Sequence, residues 1–332
     1  MQELRIPFDT MKTRFTEILL KKGFSLDKAA HCASIFAENS LDGVYSHGLN
    51  RFPTFVALIQ EGLVDVDAEP ELAGHNGLIE QWDGRLGPGV LNAKICMARA
   101  ISLAGEHGIG CVALRNTSHW MRGGTYGWQA ANAGFIGICF TNTIASVPPW
   151  GGIDPRLGNN PLVIAVPRPG GHVVLDMALS QYSFGKLMQY KSAGEELPFP
   201  GGYDQNGNFS TNSSDVISTR RLLPIGFWKG SGLSLMLDLL VTILSKGQST
   251  KDLSAKERES GVSQVFICIR QDDPELSAGL IEQILDYTKS SPPLDPEAPV
   301  SYPGENTLKT RMRNLNNGIP VDEEIWERVV GM

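Results

Sequence analysis

Two side chains capable of proton transfer and anion binding lie four residues apart, His47 and Arg51. Histidine is the side chain whose unperturbed pKa allows proton transfer near neutral pH. Arginine offers a planar fork of donors that matches a carboxylate. If one helix continues through this segment, the two positions share a face and present a proton donor beside a carboxylate clamp. That pairing suits reduction of a 2-oxo acid. The alternative interpretation is a helix cap at Ser46 followed by a surface histidine and arginine.

The segment that positions these residues is predicted to be helical. Apolar periodicity predicts helices over 9–22 and 26–42, the second with Ser25 as its N-cap, and a third helix from about Ser46 to Glu61. Residues 1–72 are therefore expected to form an N-terminal helical region that carries His47.

The following part of the chain, 73–303, alternates between short apolar runs typical of strands and amphipathic helices. This alternation predicts a mixed α/β domain. Strands are predicted at Leu162–Val166 and Val173–Met177. The second contains Asp176, and a buried carboxylate costs free energy unless it is paired or hydrogen-bonded. Asp176 is therefore a candidate site residue. Helices are predicted again in 304–332, which we expect to join the N-terminal region.

One glycine-rich run resembles a nucleotide-binding loop but has the wrong order. Residues 84–89 read G-x-x-G-x-G and include a proline. A dinucleotide fingerprint reads G-x-G-x-x-G and needs an acid about 20 residues further on. The next predicted strand ends instead at Arg115-Asn116, so we predict no Rossmann-type site here.

Two further segments carry polar groups where ligands often bind. His119 and Arg122 lie in a segment that follows a predicted strand, where contacts to a substrate are common. Lys229 lies in a glycine-rich run that opens a helix, where free backbone N–H groups suit a phosphate. A glycine-rich turn that packs a helix against a sheet explains the second run equally well.

Composition excludes several classes of function. The 332 residues carry a formal net charge of −7, and the pI is about 5.4, so no basic surface suggests nucleic acid. No apolar run approaches the ~20 residues that span a membrane, and the N-terminus lacks the features of a signal peptide. Five scattered cysteines indicate reduced thiols and a cytoplasmic protein. The six histidines show no HxxxH or HExxH spacing, so no metal site is predicted.

Six short motifs follow one another along the whole chain. They are Tyr45-Ser46-His47-Gly48 with Arg51, Asn116 with Ser118-His119, Asn159-Asn160-Pro161, Leu175-Asp176-Met177, Leu223-Pro224 with Gly226 and Lys229-Gly230, and Pro303-Gly304-Glu305. In this order they resemble the type-2 malate/L-lactate dehydrogenase family of NAD(P)-dependent oxidoreductases.

The resemblance implies roles for particular residues. His47 matches the proton donor of the family. Three segments match cofactor contacts: His172, Val173, Val174, Leu175, Asp176, Met177 and Ala178; Trp228 and Lys229; and Gly304, Glu305 and Asn306. We expect Arg51 to bind the substrate carboxylate and His119 to hydrogen-bond another substrate oxygen.

The resemblance also implies a fold and an assembly. The fold is mixed α/β and distinct from Rossmann, with a mainly antiparallel central sheet, an N-terminal helical layer and flanking helices. Members form homodimers and use NADH or NADPH.

A second set of motifs narrows the resemblance to a branch that reduces a sugar-derived 2-oxo acid with NADH. The motifs are Ile79–Asp83, His119–Ala131 without position 125, Pro148–Gly151 and Trp228–Gly232. Gly185-Lys186 and Glu305-Asn306 depart from that branch and bear on the choice between NADH and NADPH. The alternatives are reduction of another 2-oxo acid or a cyclic imino acid, and a non-catalytic protein that binds a carbohydrate or nucleotide.

Overall fold

The computed structural model describes residues 4–332 as eleven strands and twelve α-helices. The strands are β1 (Arg5–Ile6), β2 (Glu71–Asn76), β3 (Ile79–Asp83), β4 (Ile109–Thr117), β5 (Phe135–Thr141), β6 (Leu162–Val166), β7 (Val173–Met177), β8 (Gly202–Tyr203), β9 (Phe209–Ser210), β10 (Val262–Arg270) and β11 (Ile319–Pro320). The helices are α1 (Phe8–Lys21), α2 (Leu26–Leu41), α3 (Phe52–Gln60), α4 (Gly89–His107), α5 (Gly124–Asn132), α6 (Phe184–Ala193), α7 (Ser213–Thr219), α8 (Trp228–Ser245), α9 (Thr250–Ser254), α10 (Pro274–Lys289), α11 (Glu305–Asn317) and α12 (Glu323–Val330).

A seven-stranded sheet forms the centre, in the order β2-β3-β4-β10-β5-β6-β7. β3 and β4 run parallel, and every other neighbouring pair in this sheet runs antiparallel. Alternate residues of β4 and β10 face α4 on one side and α8 on the other, as the two-residue period of a strand requires. The predicted mixed α/β fold with a mainly antiparallel central sheet is confirmed.

A separate apolar core forms around the first three helices and includes the C-terminal end of the chain. The rings of Phe15 and Phe52 stack with centroids 4.0 Å apart, and Ile319 and Val329 are buried in the same cluster. β1 pairs with β11, which joins the two ends of the described chain. Aromatic stacking and burial of this kind stabilise the contact between distant segments.

Most helix and strand positions agree with the sequence-based expectations, including Ser25, whose side chain caps α2 by accepting a hydrogen bond from Lys28 N. The third helix is wrong at its beginning, because α3 starts only at Phe52. α5 was not among the predicted helices.

Among residues 4–332, no group of three or more His, Cys, Asp and Glu side chains could hold a metal ion. No helix in this part of the chain combines the length and apolarity needed to cross a bilayer. All five cysteines are buried and unpaired, as their scattered positions predicted.

Candidate active site

His47 lies in a tight double turn rather than in a helix. Short 3₁₀ turns at Tyr45–His47 and Leu49–Arg51 meet at Gly48. A Cβ atom at Gly48 would lie 2.1 Å from Ser40 Oγ and 2.9 Å from the Phe36 carbonyl oxygen. The turn is therefore pressed against α2 in a way that only glycine allows. The expected continuous helix through His47 and Arg51, with both on one helical face, is wrong for this reason.

Hydrogen bonds fix both the backbone and the ring of His47. Its carbonyl oxygen accepts from Asn39 Nδ2 at 3.0 Å, and Thr125 Oγ1 donates to Asn39 Oδ1 at 2.8 Å. Its Nδ1 lies 3.0 Å from Ser46 Oγ. Ser46 therefore contacts the imidazole, and Nε2 is the ring nitrogen left for another partner.

His119 and Arg51 lie close enough to His47 to act on its charge. The two imidazole centroids are 6.0 Å apart. Met121 N donates to Nδ1 of His119 at 2.9 Å, so the neutral ring carries its proton on Nε2 and offers a donor there. Arg51 forms no hydrogen bond or ion pair through its guanidinium within residues 4–332. An unpaired guanidinium beside two rings is suited to an anionic ligand.

Burial and nearby positive charges keep the rings of His47 and His119 neutral in the free protein. Burial, followed by repulsion from His119, Arg51 and Arg122, lowers the pKa of His47 to about 3. Burial and the charge of Arg51 lower the pKa of His119 to about 3 as well. An anion bound at Arg51 offsets part of the repulsion and so raises the proton affinity of His47.

The buried side chain of Arg122 lies between two carboxylates, Asp42 and Asp176. Arg122 Nη1 pairs with Asp42 Oδ2, and Asp42 Oδ1 accepts from Arg311 Nη1 at 2.8 Å. Arg122 Nε lies 3.8 Å from Asp176 Oδ2, which also accepts from Gly124 N at 2.8 Å. Burial raises the pKa of Asp176, and Arg122 and the Gly124 amide oppose that rise. Asp176 is thus hydrogen-bonded, as its place in an apolar strand requires.

The first and third predicted cofactor segments lie side by side. Val174 N in β7 donates to the Pro303 carbonyl oxygen at 2.9 Å. Gly304 has a φ of +95°, and a Cβ atom there would lie 3.1 Å from both the His172 oxygen and Val174 N. Glycine therefore permits the turn before α11 to approach the edge of β7.

Glu305, at the start of α11, is already paired. Its Oε1 lies 2.9 Å from Lys289 Nζ and 3.1 Å from Lys309 Nζ. These two ion pairs, together with hydrogen bonds and a backbone amide, lower the pKa of the carboxyl group. The three side chains carry one net positive charge beside Asn306.

The second predicted segment lies beyond the other end of β7. Ile225 N donates to the Leu179 oxygen at 2.9 Å, and Gln181 N donates to the Leu223 oxygen at 2.7 Å. This pairing brings the beginning of α8 next to the end of β7. Trp228 is 64% exposed there, and Lys229 forms no ion pair in the described part of the chain.

A cavity of about 460 Å³ lies between α2, α5 and α11, on the other side of Asn39 and Asp42 from His47. Its lining includes Trp128 and Leu308 but not His47. The indole Nε1 of Trp128 is buried and has no hydrogen-bond partner within residues 4–332. The cavity therefore adjoins the start of α11, and His47, Arg51 and His119 do not line it.

The structure thus places His47, Arg51 and His119 near one another and gathers the three predicted cofactor segments around β7. Sequence reasoning missed Asp42 and Glu259, and it gave Arg122 only as a possible substrate contact. Asp42 lies only five residues before His47. This closeness in the sequence could have indicated that the two residues belong to the same site. No local pattern marks Glu259, whose Oε2 accepts from Ile144 N at 3.4 Å and whose pKa burial raises.

Comparison with known proteins identifies the family. The model of the malate/L-lactate dehydrogenase family matches residues 6–330. The 2,3-diketo-L-gulonate reductase of Citrobacter koseri is 43% identical over 330 residues, covering 98% of this chain and 99% of the relative. The reductase of the same name from Pasteurella multocida is 44% identical with the same coverage. Malate dehydrogenase from Pyrococcus horikoshii superposes with a TM-score of 0.89 at 31% identity, covering 98% of this chain and 93% of that one.

The chain belongs to the malate/L-lactate dehydrogenase family and is an oxidoreductase. The family and the class predicted from the six motifs are both confirmed.

Proposed function

We propose that this protein reduces 2,3-diketo-L-gulonate to 3-dehydro-L-gulonate with NADH and a proton. The observation that carries the proposal is the unpaired Arg51 guanidinium beside two neutral imidazoles, His47 and His119. Similarity over nearly the full chain to reductases named for this substrate supports the choice of sugar acid.

Arg51, His119 and His47 each have a separate role in the proposed carbonyl reduction. Arg51 holds the C1 carboxylate, and His119 donates its Nε2 proton to an oxygen further along the substrate. The nicotinamide, when bound, supplies the hydride that C2 receives. His47 becomes protonated as the anion binds, and it gives its Nε2 proton to the C2 oxygen while Ser46 holds Nδ1. Proton transfer from a positioned group contributes ~10²–10⁴-fold in rate.

The residues around β7 fit a dinucleotide. The helices α8 and α11 both begin there, and the free N–H groups of a helix start suit phosphate oxygens. Lys229 adds an unpaired cation at one of these starts, and Gly304 leaves room at the other. The unpartnered indole N–H of Trp128, whose ring lies 3.5 Å from the Gly304 Cβ position, is free for a further acceptor. His172 and Asp176 complete the contacts along the strand.

NADH is the proposed reductant, and NADPH is the comparison. The cluster of Glu305, Lys289 and Lys309 carries one net positive charge, which would tolerate a 2′-phosphate. Parallel titrations of NADH and NADPH, read by quenching of tryptophan fluorescence, measure this preference directly.

Product analysis tests the reaction itself. The protein is incubated with 2,3-diketo-L-gulonate and NADH, and the product is identified by mass spectrometry. We expect a product that has gained two hydrogens, formed in equal amount to the NADH consumed. Binding of NADH without its oxidation by any 2-oxo or imino acid would contradict the proposal and favour a binding protein.

We also propose that the protein is a homodimer in which α8 faces α8. The outer face of this helix exposes five apolar side chains, Leu235, Met236, Leu239, Leu240 and Ile243, by 42–68%. The acid within the helix, Asp238, points inward and accepts from Asn142 Nδ2 and Thr250 N. An uncharged, exposed apolar stripe of this kind marks an interface, and a twofold axis would bury it against its own copy.

Replacing Leu239 by glutamate should convert this dimer to a monomer, because it places two charges at the centre of the apolar contact. Light scattering coupled to size-exclusion chromatography measures the mass. The matched control is Leu26→Glu, which adds the same charge at an apolar position of 69% exposure on α2. A wild-type mass of one chain, or a dimer that survives Leu239→Glu, would contradict this interface.

A further inference from the structure

Residues 182–222 form a lobe that is attached to the central sheet beyond the end of β7 and contains α6, β8, β9 and α7. The chain enters and leaves this lobe through paired backbone, because Gln181 N donates to the Leu223 oxygen and Ile225 N donates to the Leu179 oxygen. The lobe packs around an apolar cluster of its own. The buried members of that cluster are Val147, Leu157, Leu187, Leu197, Val216 and Leu222.

The first turn of α6 lies against the turn that carries His47. Ser183 caps this helix. Gly185 and Leu187 are about 200° apart around the helix, so Gly185 faces away from the core of the lobe. A Cβ atom at Gly185 would lie 3.0 Å from Ser46 Cβ and 3.5 Å from Ser46 Oγ. The backbone of α6 thus contacts the Ser46 side chain, and a side chain at position 185 would crowd it.

The Ser46 side chain also contacts the imidazole of His47, with its Oγ 3.0 Å from Nδ1. The turn has little room to withdraw from α6, because Gly48 is packed against Ser40 and Leu49 N donates to Ser40 Oγ at 2.8 Å. Crowding by α6 would therefore move the Ser46 side chain rather than the backbone of the turn. A displacement of a few tenths of an ångström would weaken the hydrogen bond to Nδ1.

We propose that Gly185 is a positioning residue for the proton transfer. Its bare backbone lets the first turn of α6 pack on Ser46 without displacing the hydroxyl from Nδ1 of His47, and the contact confines that hydroxyl. With Nδ1 held in this way, Nε2 is directed to the substrate oxygen. The inference rests on the proposed function, because it assigns a purpose to the orientation of His47. A glycine that served only to build α6 would tolerate alanine, which has the higher helix propensity.

Replacing Gly185 by alanine should lower kcat for reduction by about tenfold, since it weakens one hydrogen bond to the proton donor. The KM for NADH and the melting temperature should stay close to those of the wild type, because the cofactor segments and the core of the lobe are unchanged. Steady-state kinetics and thermal unfolding measure these quantities. The matched control is Gly279→Ala in α10, where a Cβ atom would meet nothing within 4 Å, and its kcat should not change.

A double-mutant cycle shows whether the effect passes through Ser46. Ser46→Gly removes both atoms that an alanine at position 185 would meet, and it lowers kcat by itself because the hydroxyl is lost. In this background, adding Gly185→Ala should change kcat by less than about twofold. The same fall in both backgrounds, or an unchanged kcat in the single variant Gly185→Ala, would overturn the inference.

Nitrogen NMR of the imidazole measures the same contact without turnover. The ring shifts of His47, assigned with His47→Asn, report which nitrogen carries the proton. Gly185→Ala should change this tautomer balance, and Gly279→Ala should leave it as in the wild type. If the wild type turns over no substrate but the balance changes in Gly185→Ala, the proposed function fails and the positioning contact stands. A wild type that oxidises NADH, combined with an unchanged balance in Gly185→Ala, would overturn the positioning role and leave the function standing.

Discussion

Replacing His47 by asparagine is expected to lower kcat for NADH oxidation by about 10²–10⁴-fold while leaving the dissociation constant of NADH nearly unchanged. Asparagine keeps a polar side chain of similar size but cannot deliver a proton to the C2 oxygen. Stopped-flow absorbance gives the rate, and fluorescence titration gives NADH binding. His107→Asn, at the end of α4, is the matched control and should behave as wild type.

The pH dependence of kcat/KM is a second measurement of the role of His47 as proton donor. The pKa of His47 is lowered to about 3 in the free protein, so the ring is neutral at neutral pH. Reduction consumes a proton that His47 must take up, and raising the pH makes this uptake less favourable. The kcat/KM of the wild type should therefore fall as the pH rises, and His47→Asn should lose this dependence. A variant with full activity and an unchanged profile would remove His47 from the mechanism.

Replacing Arg51 by methionine is expected to raise the KM for the oxo acid by about 10- to 100-fold, as a hydrogen bond to a charged group contributes about 1.5–3 kcal/mol. Kinetics at saturating NADH measure the effect. Removal of the charge also lessens the repulsion on His47 and His119, so the fall in kcat/KM should move to higher pH.

The variant Arg51→Lys separates the charge from the geometry of the guanidinium. Lysine keeps the positive charge but loses the planar fork that matches a carboxylate. Its KM should lie between those of the wild type and Arg51→Met, and its pH profile should stay close to that of the wild type. An unchanged KM in Arg51→Met would show that the carboxylate binds elsewhere.

The sequence was sufficient to predict the structure where that structure depends on neighbouring residues along the chain. β6 and β7 have the predicted bounds, and Ser25 caps α2 as expected, because strand alternation and helix capping are local signals. The order of the motifs was sufficient to predict the family.

The sequence was insufficient to predict the structure where that structure depends on contacts between residues far apart in the chain. The expected helix through His47 fails because Gly48 packs against Ser40, which is a contact between two elements. The Asp42–Arg122 pair joins residues 80 positions apart, so neither residue alone signals the other. α5 begins in a glycine-rich segment with low helical propensity, and burial of residues such as Tyr126 stabilises it instead.

The most direct test of the account compares substrates for the wild-type protein. NADH oxidation is followed by absorbance with 2,3-diketo-L-gulonate, pyruvate, oxaloacetate and a cyclic imino acid, each over a full concentration range. We predict that kcat/KM for 2,3-diketo-L-gulonate exceeds the others by at least about tenfold, a difference of about 1.4 kcal/mol in transition-state stabilisation. Equal or faster turnover of a simple oxo acid or imino acid would contradict the proposed substrate and assign the protein to another branch of the family.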